Sequence, residues 1–332
     1  MSLYLLHPFE FYYVLFVIFV IGACIGSFTN VVILRAFTGE SVVLPPSKCP
    51  HCKNKLKWYH NIPIFSYLFL RGKCGFCKEK ISIQYPIVEL LVALLCVGTF
   101  LKYDFTLNAF ILSIVAILGV ILSTTDIKEQ VIFDGHSYVL AGIGLIYNFF
   151  DIGKSHLGVI DFSLFAHQFS INKSFVYSIL GLLAGAVIME LLAFVGKLLV
   201  GQRAFGEGDS YILGSLGAVF RLQAVPQILI IAIIVQMLLI FPLFIKNLFV
   251  RKEYKIIGAL GCFILSVGLF KLFDSLKLLN NFYILLATFL FMCVCAVYTC
   301  RSLIQSAKNQ NSLTFVPFGP PLVIAALFLM FI

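Results

Sequence analysis

Long apolar runs broken by short polar stretches dominate the chain. Runs of roughly 17–25 apolar residues can cross a bilayer as helices. The sequence predicts such helices at 11–34, 84–102, 106–125, 136–152, 176–200, 222–245, 256–273 and 281–300. A further apolar run closes the chain at 315–332, and a shorter one at 210–220 reads as a span or a half-helix. The expected fold is an all-α polytopic membrane protein with about eight to ten transmembrane helices, because a bilayer offers backbone groups no water to bond.

Composition sharpens this picture. Of 332 residues, 61% are hydrophobic and 12% charged, against about 45–50% and about 25% in soluble domains. That balance excludes a disordered chain, a coiled coil and a secreted disulfide scaffold. The net charge of +9 would point to nucleic acid in a soluble protein. Here it reports topology, and the partner is the lipid bilayer rather than nucleic acid, because Lys and Arg collect on the cytoplasmic side. Residues 1–10 contain no Lys or Arg, so the first apolar run reads as a span rather than a signal peptide. Residues 35–83 hold nine cations against two acids, Glu40 and Glu79. This loop is therefore expected in the cytoplasm and the N-terminus outside. With ten spans alternating from there, eighteen cations fall on inner segments and six on outer ones.

The same loop carries candidate metal chemistry. Cys49-Pro-His-Cys52 and Cys74-Gly-Phe-Cys77 are two C-x2-C pairs separated by twenty-one residues. Each pair can form a tight knuckle, and four thiolates complete a closed tetrahedral zinc shell. A reducing cytoplasm disfavours disulfides between them. With all four positions filled by protein, the zinc is expected to be structural and to supply much of the loop's folding energy. His51 is a possible substitute ligand but reads as solvated. Cys24, Cys96, Cys262, Cys293, Cys295 and Cys300 lie in apolar spans and read as small hydrophobes.

Fifteen acids are few enough to weigh singly. Ionisable groups at membrane depth are costly and mark function. Asp126 ends the third span, and Asp209 sits in Gly206-Glu-Gly-Asp209 where the 210–220 run begins. With the orientation above, both lie at the cytoplasmic face of the membrane. Two carboxylates held together at one depth cannot both ionise, so one serves as acid and the other as base toward water. The glycines around Glu207 remove bulk where a peptide backbone would approach. Position alone leaves each aspartate open between catalysis and helix capping. Asp134 reads as a cap for the span that follows it. Glu89 and Glu190 read as polar partners between helices.

In order along the chain, these residues resemble the bacterial prepilin peptidases, or type IV leader peptidases, a family of intramembrane aspartyl proteases of the GxGD type. The resemblance is carried by Gly26-Ser-Phe-Thr-Asn-Val-Val-Ile-Leu-Arg35, Cys49 and Cys52, Asn61-Ile-Pro-Ile-Phe-Ser66, Leu70-Arg-Gly-Lys-Cys74 and Ile83-Gln-Tyr-Pro-Ile-Val-Glu89. It continues through Asp126, Gly206-Glu-Gly-Asp209 and Val316-Pro-Phe-Gly-Pro-Pro-Leu322. The resemblance implies that Asp126 and Asp209 are the catalytic pair and that Cys49, Cys52, Cys74 and Cys77 bind zinc. It implies cleavage of the leader from type IV prepilins or type II secretion pseudopilins at the cytoplasmic face of the bacterial inner membrane. It further implies S-adenosylmethionine-dependent N-methylation of the new N-terminus, for which the sequence identifies no cofactor-binding residues. The chain departs from the family pattern at Phe133, Arg203 and Tyr211, where proline, an acid and lysine are usual.

The expected organisation is a first span at 1–35, the zinc loop at 36–83 and a peptidase core at 84–250. A two-span insertion at 251–310 and a closing span at 311–332 complete it. A proton-coupled transporter is the alternative from another class. It would make Glu89 and Glu190 the essential acids.

Overall fold

The computed structural model describes residue 3, residues 7–44, 46–49, 51–129, 134–153, 157–164, 167–200, 205–250, 254–275 and 317–332, and eight scattered residues between 284 and 298. The protein is helical, as the apolar runs require. Helix α1 spans Pro8–Thr38, α2 Phe65–Phe69, α3 Gln84–Tyr103, α4 Leu107–Glu129, α5 Asp134–Phe149 and α6 Lys173–Val200. Helix α7 spans Glu207–Phe220, α8 Ala224–Val250, α9 Tyr254–Ser275 and α10 Gly319–Phe331. Among the described residues, the segments Pro8–Thr38, Gln84–Tyr103, Leu107–Lys128 and Lys173–Leu198 are long and apolar enough to cross a membrane. The run at 210–220 is a separate helix, α7. The span expected at 281–300 lies largely outside the described residues, as do Phe133, Arg203 and Val316.

Local signals set the helix ends. Helix α1 starts three residues before its apolar run because Pro8 occupies the first turn and Glu10 bonds back to the His7 N–H at 3.3 Å. It stops where Gly39 turns left-handed (φ 65°) and returns its N–H to the Arg35 carbonyl. Between α5 and α6 the polar segment forms an antiparallel hairpin, β1 Val159–Leu164 and β2 His167–Asn172, with Val159 opposite Asn172. The apolar count had not called for these strands.

The chain divides into two compact units. The first holds residues 1–190, 207–232 and 317–332, and the second holds 191–206 and 233–316. In the first, α1 packs on α3 and α4, α4 on α5, and α5 on α7, while α10 lies against α3, α4 and α7. Apolar side chains face outward as well as inward, and some polar ones lie inside. Leu183, Val187, Leu191, Ile230 and Ile234 are exposed, whereas Asn30, Thr99, Ser113, Thr125, Asn148, Ser178 and Ser215 are buried. In lipid the apolar exterior is the solvated one, and helices associate through small residues and hydrogen bonds. Thr99 and Ser113 join α3 to α4 at 2.6 Å, and the Tyr147 hydroxyl donates to Asn108 across α5 and α4 at 2.8 Å. A Cβ on Gly185 of α6 would lie 2.6 Å from the Leu213 carbonyl of α7. Only a glycine lets those two backbones approach so closely.

Candidate active site and metal centre

Asp126 comes from the last turn of α4, behind Ser123-Thr-Thr. The Thr124 hydroxyl donates to the Val120 carbonyl at 2.7 Å, and Thr125 to Ile121 and Leu122 at 3.0 Å each. The threonine hydroxyls are thus satisfied within the helix itself. Asp126 is 4% exposed and Asp209 is 5% exposed. Neither is a surface aspartate. Asp209 lies in the first turn of α7, whose residues from Ile212 to Val219 are all buried. The helix begins at Glu207, so Asp209 sits inside it rather than ahead of it, where a capping residue would stand. Asp134 likewise falls in the first turn of α5.

The carboxylate of Asp126 is met by the start of α10. The Gly319 N–H donates to Asp126 Oδ2 at 2.9 Å, across 193 residues of sequence. The donors from Gly319 onward are few. A helix leaves its first four N–H groups without intrahelical partners. Pro320 and Pro321 have none to offer, and Leu322 bonds the Phe318 carbonyl at 3.3 Å. Gly319 offers its N–H, and Asp126 receives it. The point where a Gly319 Cβ would lie is 2.6 Å from Asp126 Oδ2 and 3.0 Å from Ile212 Cδ1. Ile212 is one turn along α7 from Asp209. The end of α4, the start of α7 and the start of α10 therefore meet at one place.

Two further acids border these elements. Ser210, next to Asp209, donates its hydroxyl to Glu190 of α6 at 2.9 Å. Glu89, 7% exposed in α3, accepts the Ile64 N–H at 2.7 Å and also bonds the Ser27 hydroxyl. Ile64 has a positive φ (63°, ψ −53°) at the centre of a γ-turn closed by the Phe65 N–H on the Pro63 carbonyl, a rare and strained conformation. Asn30 of α1 donates to the Tyr85 carbonyl at 3.1 Å, closing the same corner. Both glutamates thus serve as polar partners to a neighbouring element, in line with their sequence reading. The Gly319 and Ile64 contacts escape sequence reasoning. Their only signal was the motif in which each residue stands. Tyr211 stacks edge-on against Tyr138 of α5, with ring centroids 5.7 Å apart.

The four loop cysteines come together. The sulfur atoms of Cys49, Cys52, Cys74 and Cys77 all lie within 4.8 Å of one another. The two knuckles repeat the same bonds. The Cys49 N–H donates to the Asn54 carbonyl at 3.0 Å and the Cys74 N–H to the Glu79 carbonyl at 2.8 Å. Lys53 and Lys78, each four residues past the first cysteine of its pair, take left-handed backbones (φ 58° and 61°). His60 wedges between Tyr59 and Phe76, with ring centroids 4.5 and 5.3 Å away, and ties the intervening segment to the second knuckle. His51 is exposed and stands outside the sulfur cluster.

The thiols are electrostatically coupled. The backbone N–H groups of Cys77 and then Phe76 lower Cys74 from 9.0 to about 7. The Glu79 N–H favours the Cys77 thiolate too, but burial and the neighbouring sulfurs outweigh it and push Cys77 up to about 11. Without a cation the cluster thus resists complete ionisation. A divalent metal relieves that repulsion, and an all-sulfur donor set of this size suits zinc.

Comparison with known proteins places these features in a family. Residues 20–103 match the model of the bacterial peptidase A24 N-terminal domain, and residues 113–243 match that of the type IV leader peptidase family. The chain is 32% identical over 217 residues to a prepilin leader peptidase/N-methyltransferase of Myxococcus xanthus, covering 65% of this chain and 58% of the relative. It is 32% identical over 243 residues to one of Neisseria gonorrhoeae, covering 64% of this chain and 76% of the relative. It is 30% identical over 223 residues to one of Klebsiella pneumoniae, covering 65% and 89%. No solved structure matches the chain.

Proposed function

The chain belongs to the type IV leader peptidase family, and from that premise we propose that it is an intramembrane aspartyl endopeptidase that removes the leader of type IV prepilins or pseudopilins. The observation that carries this reading is a pair of nearly fully buried aspartates, Asp126 and Asp209, at helix ends that meet around Gly319. Carboxylates are expensive in a membrane bundle unless they are used.

The chemistry follows from the pair. One carboxylate takes a proton from water, whose oxygen attacks the scissile carbonyl. The other donates its proton to the departing amine, and no covalent enzyme intermediate forms. The proton inventory belongs to the pair rather than to either residue. The substrate's apolar helix lies against the spans, which brings its leader junction to the acids at the cytoplasmic face of the inner membrane. The N-terminus of the enzyme is then outside.

Cys49, Cys52, Cys74 and Cys77 would hold a zinc ion that organises the loop rather than the reaction. N-methyltransferase is the second activity named for the relatives; here it would methylate the new N-terminus, with S-adenosylmethionine as the donor. Among the described residues the loop contains no strand–glycine-loop–helix unit of the kind that cradles nucleotide cofactors, so no residue is assigned to the donor. In this reading residues 84–250 are the peptidase core and residues 251–310 an insertion. No observation favours a transporter, since Glu89 is engaged by a loop N–H and by Ser27.

The test is incubation of the purified protein with a prepilin, followed by mass measurement of the product. Wild-type protein should release the leader and add one methyl group to the mature end. Asp126→Asn and Asp209→Asn should each insert normally and leave the prepilin whole. Normal processing by either variant removes that residue from the mechanism.

A further inference from the structure

We infer that Gly319 is a positioning residue for this dyad: its N–H fixes Asp126 Oδ2, and its missing side chain leaves the space in which that oxygen sits. The inference rests on Asp126 being one of the peptidase acids, and it goes beyond that assignment by naming what aims it. With Oδ2 bonded to Gly319 at 2.9 Å, the water- and proton-handling of Asp126 falls to Oδ1.

Three observations bear on this. The donor is a backbone N–H at the first residue of α10, and the two prolines after it have no N–H to add. The contact is buried, with Phe318 at 3% exposure and Leu322 at 0%. Helix α10 is also held elsewhere along its length. The Tyr103 hydroxyl donates to the Met330 carbonyl at 2.6 Å, and Cβ atoms on Gly98 and Gly119 would approach Phe331 and Val323 of α10 within 2.9 and 2.8 Å. The helix is therefore not free to retreat.

A methyl group at position 319 would lie 2.6 Å from Asp126 Oδ2, closer than any ordinary carbon–oxygen contact. With α10 held, the atoms that give way are side-chain ends: the Asp126 carboxylate and Ile212 Cδ1. Moving them costs little stability. It does move the carboxylate, and displacing a catalytic group by about 1 Å can cost about a hundredfold in rate.

The experiment compares kcat, KM and Tm of full-length Gly319→Ala with wild type on a prepilin substrate, with Gly142→Ala as control. A Cβ on Gly142 meets nothing within 4 Å, so that variant should keep wild-type kcat. Gly319→Ala should lose about a hundredfold in kcat while KM and Tm stay at wild-type values. Adding Ile212→Val should not restore the rate, because the second crowded atom belongs to Asp126. Wild-type kcat in Gly319→Ala overturns the inference. So does a kcat loss that tracks a fall in Tm, or one that Ile212→Val rescues. If Asp126→Asn is dead while Gly319→Ala is normal, only this inference fails. If Asp126→Asn processes normally, the peptidase assignment of Asp126 fails and takes the inference with it.

Discussion

Glu89 illustrates how a single side chain can tie a loop to a membrane bundle. Its carboxylate accepts the Ile64 N–H at 2.7 Å and thereby holds that residue in its strained γ-turn. Glu89→Ala leaves the N–H without its acceptor, a loss worth about 1–3 kcal/mol. It also removes a desolvated acid from α3, which offsets part of that cost in global stability. The expected outcome is local. Proteolysis within residues 36–83 should accelerate at least about fivefold, the lower end of that range, while Tm barely moves. Glu89→Gln retains an acceptor oxygen and should stay near wild type. Equal protease resistance in Glu89→Ala would remove the latch. Glu89, Asp126 and Asp209 were all conspicuous in the sequence, because acids are rare in apolar runs. Their partners were not. Ile64 and Gly319 offer backbone groups, and a backbone N–H leaves no trace in a residue's identity. Gly319 stands 193 residues from the acid it meets, so no local pattern could pair them.

At the scale of elements, the helices were legible from run length and their ends were not. Caps such as Gly39 lie in polar sequence beyond the apolar run that marks the span. Helix α7 shows the other limit. Its fourteen residues fall short of the roughly twenty needed to span hydrocarbon, and its packing on α6 depends on glycines whose partner helix the sequence does not name. The loop between α1 and α3 was legible for the opposite reason, since two C-x2-C pairs twenty-one residues apart have the spacing of a zinc site. Its four sulfurs lie within 4.8 Å of one another, and each knuckle spends a left-handed lysine to form. Metal affinity offsets such costs, amounting to about 10–16 kcal/mol for small zinc modules near pH 7. Metal analysis of the purified protein should give about one zinc per chain, as a closed four-thiolate site requires. Cys74→Ser should fall below about half of that and open the loop to protease, with helical circular dichroism unchanged. Full zinc content in Cys74→Ser would place the metal elsewhere.

For the molecule as a whole, charge and contact both bear on the proposed orientation. Eighteen of twenty-four cations fall on one set of segments when the expected spans alternate, the bias that a cytoplasmic cysteine loop would produce. The bond between Gly319 and Asp126 adds a parity condition. The C-terminal end of α4 and the N-terminal end of α10 must lie at the same face. Helices α5 to α9 separate them, and with the 281–300 run counted as the sequence reads it, the number of crossings is even, as this contact requires, only if the fourteen-residue α7 is counted as one of them. The start of α7, where Asp209 sits, falls on that face by the same count. The hairpin at Val159–Asn172 falls on the other. A cysteine placed at Val159 should therefore react with a membrane-impermeant maleimide in intact spheroplasts. One placed at Lys57, in the exposed part of the cysteine loop, should react only after the membrane is permeabilised. The reverse pattern would put the two buried acids at the outer face. A leader presented from the cytoplasm would never reach them, and the peptidase reading would fall with the topology.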